Sequence, residues 1–542
     1  MTGTTPSFMP KERPVSLPQL SRRQLLGLTG ATGLAAATTL TTTSSPARAL
    51  VGSDNPFTLG VASGDPEPDG VVLWTRLAPQ PLALDGRGGM SDRPVVVQWE
   101  IATDPSFGAH SIARRGSEIA RPSLAHSVHA EVHGLRPDRV YWYRFRAGHS
   151  ISPAGRTRTA PAYNARLNEL RFAFTSCSNL PAGYFTAYRH MAQDDLDLVM
   201  HLGDYVYEGP GVSTIPGRSH TSGAEMFDLP GYRLRYSQYK NDPDLQAAHA
   251  AAPWIVTPDD HEVENNYAGA ISELDKEPDQ DPAIFLKRRA AAYQAYYEHQ
   301  PVRRRSIPKG ADMQLYRRLR YGRLADFNVL DTRQYRDDQI EGCAQPCTER
   351  YQPGRTMLGA QQERWLLSGL SASRSTWKVV GNQVVTFDAD GKSGAGESYG
   401  MDNWMGYANA RQRWYDSLHQ HGVQNTVVVT GDAHRSAVAD LKLDFRDQAS
   451  PTVGVELLGT SITSGGDGKD MDGTGTTWLA ENPHLKFANS QRGYQRCVLT
   501  PTEWRTDYRV VDKVTTPGGV ISTRGEIYIE AGRPGVADVV RH

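Results

Sequence analysis

Four cysteines in 542 residues are too few for a disulfide-built scaffold. Neither sign of charge dominates: 59 Lys and Arg face 60 Asp and Glu, a net of −1, with no long basic run. Binding of nucleic acid through an electrostatic stripe is therefore excluded. No stretch reaches the apolar length of a membrane-spanning helix, and no internal repeat is evident. No Gly-x-Ser-x-Gly elbow occurs, which disfavours an ordinary serine hydrolase. The run HEVEN (His261 to Asn265) ends in Asn where a zinc protease needs its second His.

What is present begins with an address. Ser21-Arg22-Arg23-Gln24-Leu25-Leu26 is a twin-arginine motif, followed by a weakly apolar stretch, and Ala47-Arg48-Ala49 reads as a signal-peptidase site. Residues 1–49 are expected to be removed on export through the twin-arginine translocase, leaving a secreted, soluble, monomeric protein. The mature chain then carries 54 basic and 59 acidic residues, a net of −5. In an oxidising compartment Cys343 and Cys347, in the Pro-containing loop GCAQPC, read as a disulfide rather than a zinc knuckle. Cys497, in GYQRCVLT, reads as a packed strand residue.

The length suits two or three domains. Residues 50–160 read as all-β, with alternating or β-branched runs at 71–77, 95–102, 126–135 and 140–148. The Leu135-Arg136-Pro137 turn ahead of Tyr141 resembles a tyrosine corner, which predicts a small fibronectin- or immunoglobulin-like sandwich. His126, His129 and His133 read as ordinary strand positions. Ala160 to Ala165 is the expected linker. From 168 to 542 strands and helices mix, with helices expected at 232–239, 245–252, 287–299, 360–370 and 411–420. The acidic stretch 270–285 is expected to be mobile.

Four apolar strands end in loops that share one theme: TSCSN at 175–179, GDYVY at 203–207, DDHE at 259–262 and GDAH at 431–434. Ligands bind at the carboxyl ends of strands in open α/β sheets. Cys177, Asp204 and Tyr207 become anionic donors once deprotonated, a set suited to a hard trivalent metal with one soft ligand. Carboxylates gathered in one place repel each other and need cations. The expected product is a di- or trinuclear centre that polarises a phosphoryl group and generates hydroxide.

The combination FTLGVASGDP, FxSC, HLGDYVYE, DDHEVENN, LDTRQYR and GDAHRS resembles the alkaline phosphatase D (PhoD) family of metallophosphoesterases, related to the purple acid phosphatases. The resemblance spans nearly all of the mature chain. It implies an α/β fold, a two-sheet sandwich flanked by helices and preceded by the all-β domain. It also implies ferric iron with calcium, and hydrolysis of phosphate mono- and diesters. Residue by residue, Asp204 bridges two metals, Tyr207 and Cys177 ligate iron, Asp260 meets the second metal, and Asp432 supplies an oxygen ligand suited to calcium. His434 is an iron ligand or lies just behind one. His261 protonates the leaving group while a metal-bound hydroxide attacks in line, so Ser178 is not the nucleophile. Asn265 or Asn266 touches phosphate or calcium, and Arg435 and Arg333 are candidate phosphate clamps or structural ion pairs. Phosphate esters, including phospholipid or teichoic-acid-like polymers, are the expected partners. A phospholipase D and a secreted binding protein are the alternative readings.

Overall fold

The computed structural model describes residues 55–343 and 345–542, so the export segment lies outside the described residues. Two sheets face each other across one core. In the ten-stranded sheet, Leu170–Thr175, Leu198–His201 and Trp254–Val256 run parallel side by side. In the seven-stranded sheet, Ala325–Val329, Trp377–Asn382, Thr426–Thr430 and Thr452–Leu458 do the same. Strand periodicity sets which side chains meet. Phe172, Phe174, Leu198, Met200 and Ile255 point between the sheets at Phe327, Val329, Val379, Val427 and Val429, and all are buried. The alternate residues Ala173, Val199, Trp254 and Val256 pack against helices on the outer face. Cys497 is buried in the inter-sheet core.

Helices cover both outer faces. Pro243–Ala251 and Pro282–His299 begin two and five residues before the apolar pattern suggests. The reason is local: Asp242-Pro243 and Asp281-Pro282 place a capping carboxylate and a preset φ just ahead of each helix. Part of the acidic stretch is likewise ordered, because Asp279 is buried against Arg288 at 2.8 Å.

The N-terminal segment departs most from expectation. Strands Val95–Ala102, Ile112–Ala120, Val140–Ala147, Ser150–Ile151 and Gly155–Arg158 form a five-stranded sheet of their own. The Tyr141 hydroxyl accepts a hydrogen bond from the Arg136 backbone N–H at 2.9 Å, closing the corner. The layer facing them, however, is not free-standing. Val61–Glu67, Gly70–Arg76 and Ser127–Val132 continue the ten-stranded sheet, through a parallel bridge between Gly64 and Trp254. The join requires glycine: a Cβ at position 64 would lie 2.2 Å from the Pro301 carbonyl oxygen and 2.8 Å from that of Trp254. Asp65, at φ 41°, accepts from Arg317 at 2.8 Å across the joint. Gly64-Asp65-Pro66 breaks the strand pattern, so this strand is illegible without its neighbour. His129 is buried and stacked on Tyr297 at 4.2 Å, whereas His133 lies beyond the strand end and is exposed.

Candidate metal centre

Loops at the carboxyl ends of the parallel strands close on one another through their backbones. The N–H groups of Cys177 and Ser178 donate to the carbonyls of Gly203 (3.1 Å) and Asp204 (2.8 Å), and the Ile462 N–H donates to the Ser176 carbonyl (3.0 Å). Gly203 sits so tightly on the next loop that a Cβ there would meet the Asp259 Cβ at 2.3 Å. Five non-glycine residues take positive φ here: Cys177 (61°), Asp204 (55°), Asn266 (55°), Asp432 (65°) and His434 (54°). Such conformations cost energy and persist where surrounding contacts hold them, which is common at functional sites.

Glu262 is the clip. It is fully buried, and its carboxylate accepts from the backbone N–H groups of Tyr205 (2.6 Å), Asp259 (2.8 Å) and Asp204 (3.1 Å). One side chain thereby locks the 203–207 loop to the 259–262 loop.

Asp204 is shared by two clusters. Cys177, Asp204 and His434 each bring one donor atom within 4.8 Å of the others, and so do Asp204, Asp260 and His261. The Tyr207 hydroxyl joins the first cluster, at 2.9 Å from Asp204 Oδ2, 3.1 Å from His434 Nε2 and 2.7 Å from Ser464 Oγ. The other oxygen of Asp204, Oδ1, is buried with no hydrogen-bond partner, as is Asp259 Oδ2. An orphaned buried carboxylate oxygen is costly, and a cation is the partner this donor set fits. Burial, reinforced by neighbouring carboxylates, pushes Asp204 and Asp432 well above the carboxylate range. Burial and Asp204 likewise push up the Cys177 thiol and the Tyr207 phenol. A cation held by these residues would reverse that balance and favour their deprotonated forms. Burial, with His261 and Arg492 nearby, holds His434 down to about 3, in the neutral form that coordinates metal.

The second cluster is braced by arginine. Arg333 is 1% exposed; its Nε donates to Asp259 Oδ1 at 2.5 Å, and it reaches Asp402 at 2.8 Å and Asp260 at 3.1 Å. The guanidinium is buried among Asp259, Asp260 and Asp402, an arrangement that fits the structural ion pair of the two expected roles, although NH2 has no hydrogen-bond partner. Burial raises Asp260, but Arg333 and His261 outweigh it and hold the carboxylate below its ordinary range. Burial leaves Asp259 pushed up to about 7. Asp432 has no hydrogen-bond partner among the described residues.

His261 is oriented by a residue the motif reading left without a role. Its Nδ1 lies 2.7 Å from Glu208 Oε2, and its ring lies against Tyr207 with centroids 4.2 Å apart. Burial disfavours the charged ring, yet Glu208, Asp204 and Asp260 together raise it well above the usual histidine range. Nε2 has no hydrogen-bond partner among the described residues. Tyr207, Glu208 and His261 line one wall of a cavity of about 410 Å³ that also touches Asn179, Val212 and His220, with no Lys or Arg in its lining.

Asn265 and Asn266 stay beside the centre through their backbone, whose N–H groups donate to Glu208 Oε1 and Asp260 Oδ2, both at 2.8 Å. The Asn265 amide donates to Glu273 at 2.7 Å, and Asn266 also turns its amide to Glu273. Arg435 is engaged by both oxygens of Asp472, at 3.1 and 3.0 Å, and lies over Trp478. Ser178 Oγ is buried, 2.6 Å from the Tyr188 hydroxyl, away from any attacking role. Glu208 and Glu262 stand inside the motifs, where an acidic residue beside a ligand was the available signal. Ser464, Asp402 and Arg492, whose NH1 donates to the His434 carbonyl, have no local signal at all.

Comparison with known proteins decides the family. A profile of the PhoD-like phosphatase family matches residues 172–508, and one of the PhoD-like phosphatase N-terminal domain matches 42–161. The chain belongs to the PhoD-like phosphatase family. It is 50% identical to alkaline phosphatase D of Bacillus subtilis (strain 168) over 493 residues, covering 90% of this chain and 83% of the relative. A solved structure of PhoD superposes with a TM-score of 0.86 at 50% identity, over 91% of this chain and 93% of the other. The chain is a phosphoesterase, and membership of the PhoD family implies that it is metal-dependent. Among the described residues no helix is long and apolar enough to cross a membrane. Cys343 and Cys347 form a disulfide, with Cα atoms 5.5 Å apart.

Proposed function

We propose that the chain is an exported hydrolase of phosphate mono- and diesters, with ferric iron held by Cys177, Tyr207, His434 and Asp204. Calcium is held beside it by Asp204, Asp260 and Asp432. The observation that carries this reading is Asp204, common to both clusters and left with one buried oxygen unpartnered. Thiolate, phenolate and imidazole suit a trivalent transition metal, and carboxylates suit calcium. When bound, the cations supply Lewis acidity to the phosphoryl group and lower the pKa of a water at the centre.

The protein's own side chains do the rest. Glu208 fixes the His261 ring through Nδ1 and keeps it protonated, so Nε2–H can be donated to the departing ester oxygen. Arg333 and Glu262 hold the carboxylates in place before substrate arrives. A cavity wall whose one cationic group, His261, is already paired with Glu208 meets the charge of a monoanionic diester more readily than that of a dianionic monoester. Diesters are therefore expected to be hydrolysed at least as fast as monoesters. The relatives carry phosphatase names, and the phospholipase D reading draws no support from them.

The test is metal analysis of the native protein with assays on both ester classes. The expected protein is coloured by ligand-to-iron charge transfer, and brief chelation at neutral pH removes calcium and turnover while the colour stays. Added calcium restores turnover. A colourless, iron-free and fully active protein overturns the iron assignment. Export is tested separately: Arg22→Lys with Arg23→Lys is expected to retain the enzyme inside the cell, and unchanged secretion overturns the twin-arginine reading.

A further inference from the structure

A second group of carboxylates lies behind the catalytic loop. Glu225 precedes the helix Leu229–Lys240, Glu264 lies in the loop that carries Asp260 and His261, and Glu277 lies in the acidic stretch before Pro282–His299. One oxygen from each comes within 4.8 Å of the other two. Arg288 sits against them, 2.6 Å from Glu225, 3.1 Å from Glu264, 3.7 Å from Glu277 and 2.8 Å from Asp279. Four ionised carboxylates around one guanidinium leave three negative charges uncompensated.

Acidic groups gather on many surfaces, so the decisive feature is Glu264. Its side chain is 2% exposed. Oε1 takes the Ser272 hydroxyl at 3.0 Å, but Oε2 is buried without a hydrogen-bond partner. Glu277 Oε2 also has no hydrogen-bond partner, on a side chain that is 29% exposed. Burial, with the facing Glu225 carboxylate, pushes Glu277 up to about 7, and burial pushes Glu264 up to about 8. Groups so placed either hold protons or take a cation.

We propose that Glu225, Glu264 and Glu277 form a separate calcium-type cation site that ties three loops together behind the catalytic loop. The donors are all hard oxygens, from three chain segments, as a flexible multidentate calcium site requires. Arg288 supplies part of the neutralisation and the cation the remainder. The site holds the 259–266 loop through Glu264 and takes no part in the chemistry.

The experiment separates this ion from any at the catalytic centre. Calcium bound per chain is counted by equilibrium dialysis for the unaltered protein, Glu225→Gln and Glu277→Gln, and melting temperature is followed against calcium. The same series is repeated in an Asp204→Asn background, where the catalytic centre is disabled. Each Gln variant is expected to bind one calcium fewer and to lose a calcium-dependent rise in melting temperature that survives Asp204→Asn alone. Trypsin or an acidic-site protease should cut the 270–281 stretch faster in calcium-free buffer, and equally fast with or without calcium in Glu277→Gln. Unchanged calcium content in both Gln variants overturns the proposal. So does a Gln variant that is more stable by the same amount at every calcium concentration, since that is the signature of a shared proton.

Discussion

The two halves of the catalytic centre meet at Asp204 and are built in opposite ways. The Cys177–Tyr207–His434 half consists of donors that touch one another: Tyr207 reaches Asp204 and His434 directly, and Ser464 bonds both Tyr207 and the Cys177 carbonyl. The half around Asp259, Asp260 and Asp432 consists of like charges that cannot hold themselves, and it borrows Arg333, with Arg336 and Asp402 behind it. Mixed donors make a site that selects its metal by ligand chemistry. A braced carboxylate array selects by charge and space, and its ion exchanges more easily. The difference teaches that donor sets of two different chemistries can be built around a single common carboxylate.

The strongest way to break the comparison is to remove what the halves share. Asp204→Asn is expected to lower turnover by about 10³-fold or more while the fold survives, because an amide cannot bridge two cations. Circular dichroism alongside steady-state assay checks this, and near-normal turnover would remove the shared-ligand view. Next in size is His261→Ala, expected to cost about 10²–10⁴-fold on alkyl esters and far less on activated aryl esters. Glu208→Gln should follow the same leaving-group pattern at about 10–100-fold. Equal losses on both ester types would make His261 a metal ligand instead.

A matched pair sharpens the contrast between the halves. Cys177→Ser should shift the visible band and weaken iron retention with calcium content unchanged, whereas Asp432→Asn should weaken calcium with the band unchanged. If both variants lose the same metal, the halves are not chemically distinct. Arg333→Met should destabilise the fold by about 3–5 kcal/mol, read from denaturant melts, because it leaves Asp259 and Asp260 buried without a countercharge. A phosphate clamp would instead raise KM with stability intact. The smallest effect is expected from Cys343→Ser. Opening so short a loop should cost about 2 kcal/mol or less and leave colour and turnover alone.

Much of the architecture was legible because it repeats locally. The parallel strands are apolar runs ending in small and acidic residues, and the helices carry apolar patterns, although the Asp-Pro starts of two of them went unread. The candidate donors Cys177, Asp204, Tyr207, Asp260 and Asp432 could be picked out since each lies in the loop that follows such a strand. Less legible was everything that depends on a residue from another loop. Asn265 stands beside the ligands in the chain yet gives its amide to Glu273, and Arg435 stands beside His434 yet is taken by Asp472. Arg333 is as basic as any phosphate clamp, and only its surroundings make it a brace. The strand Val61–Glu67, interrupted by Gly64 and Asp65, exists because Trp254 offers it an open edge.

The sequence by itself determined the family, the strand-end loops and the kinds of donor they carry, since these are written in short contiguous stretches. Only the tertiary structure decided that Asp204 is common to two clusters, that Glu262 locks their loops, that Glu208 aims His261, and that the N-terminal strands extend the catalytic sheet. The physical reason is distance along the chain. A hydrogen bond or an ion pair depends on which side chain arrives from elsewhere and on how much water it displaces, and neither quantity is a property of any local stretch.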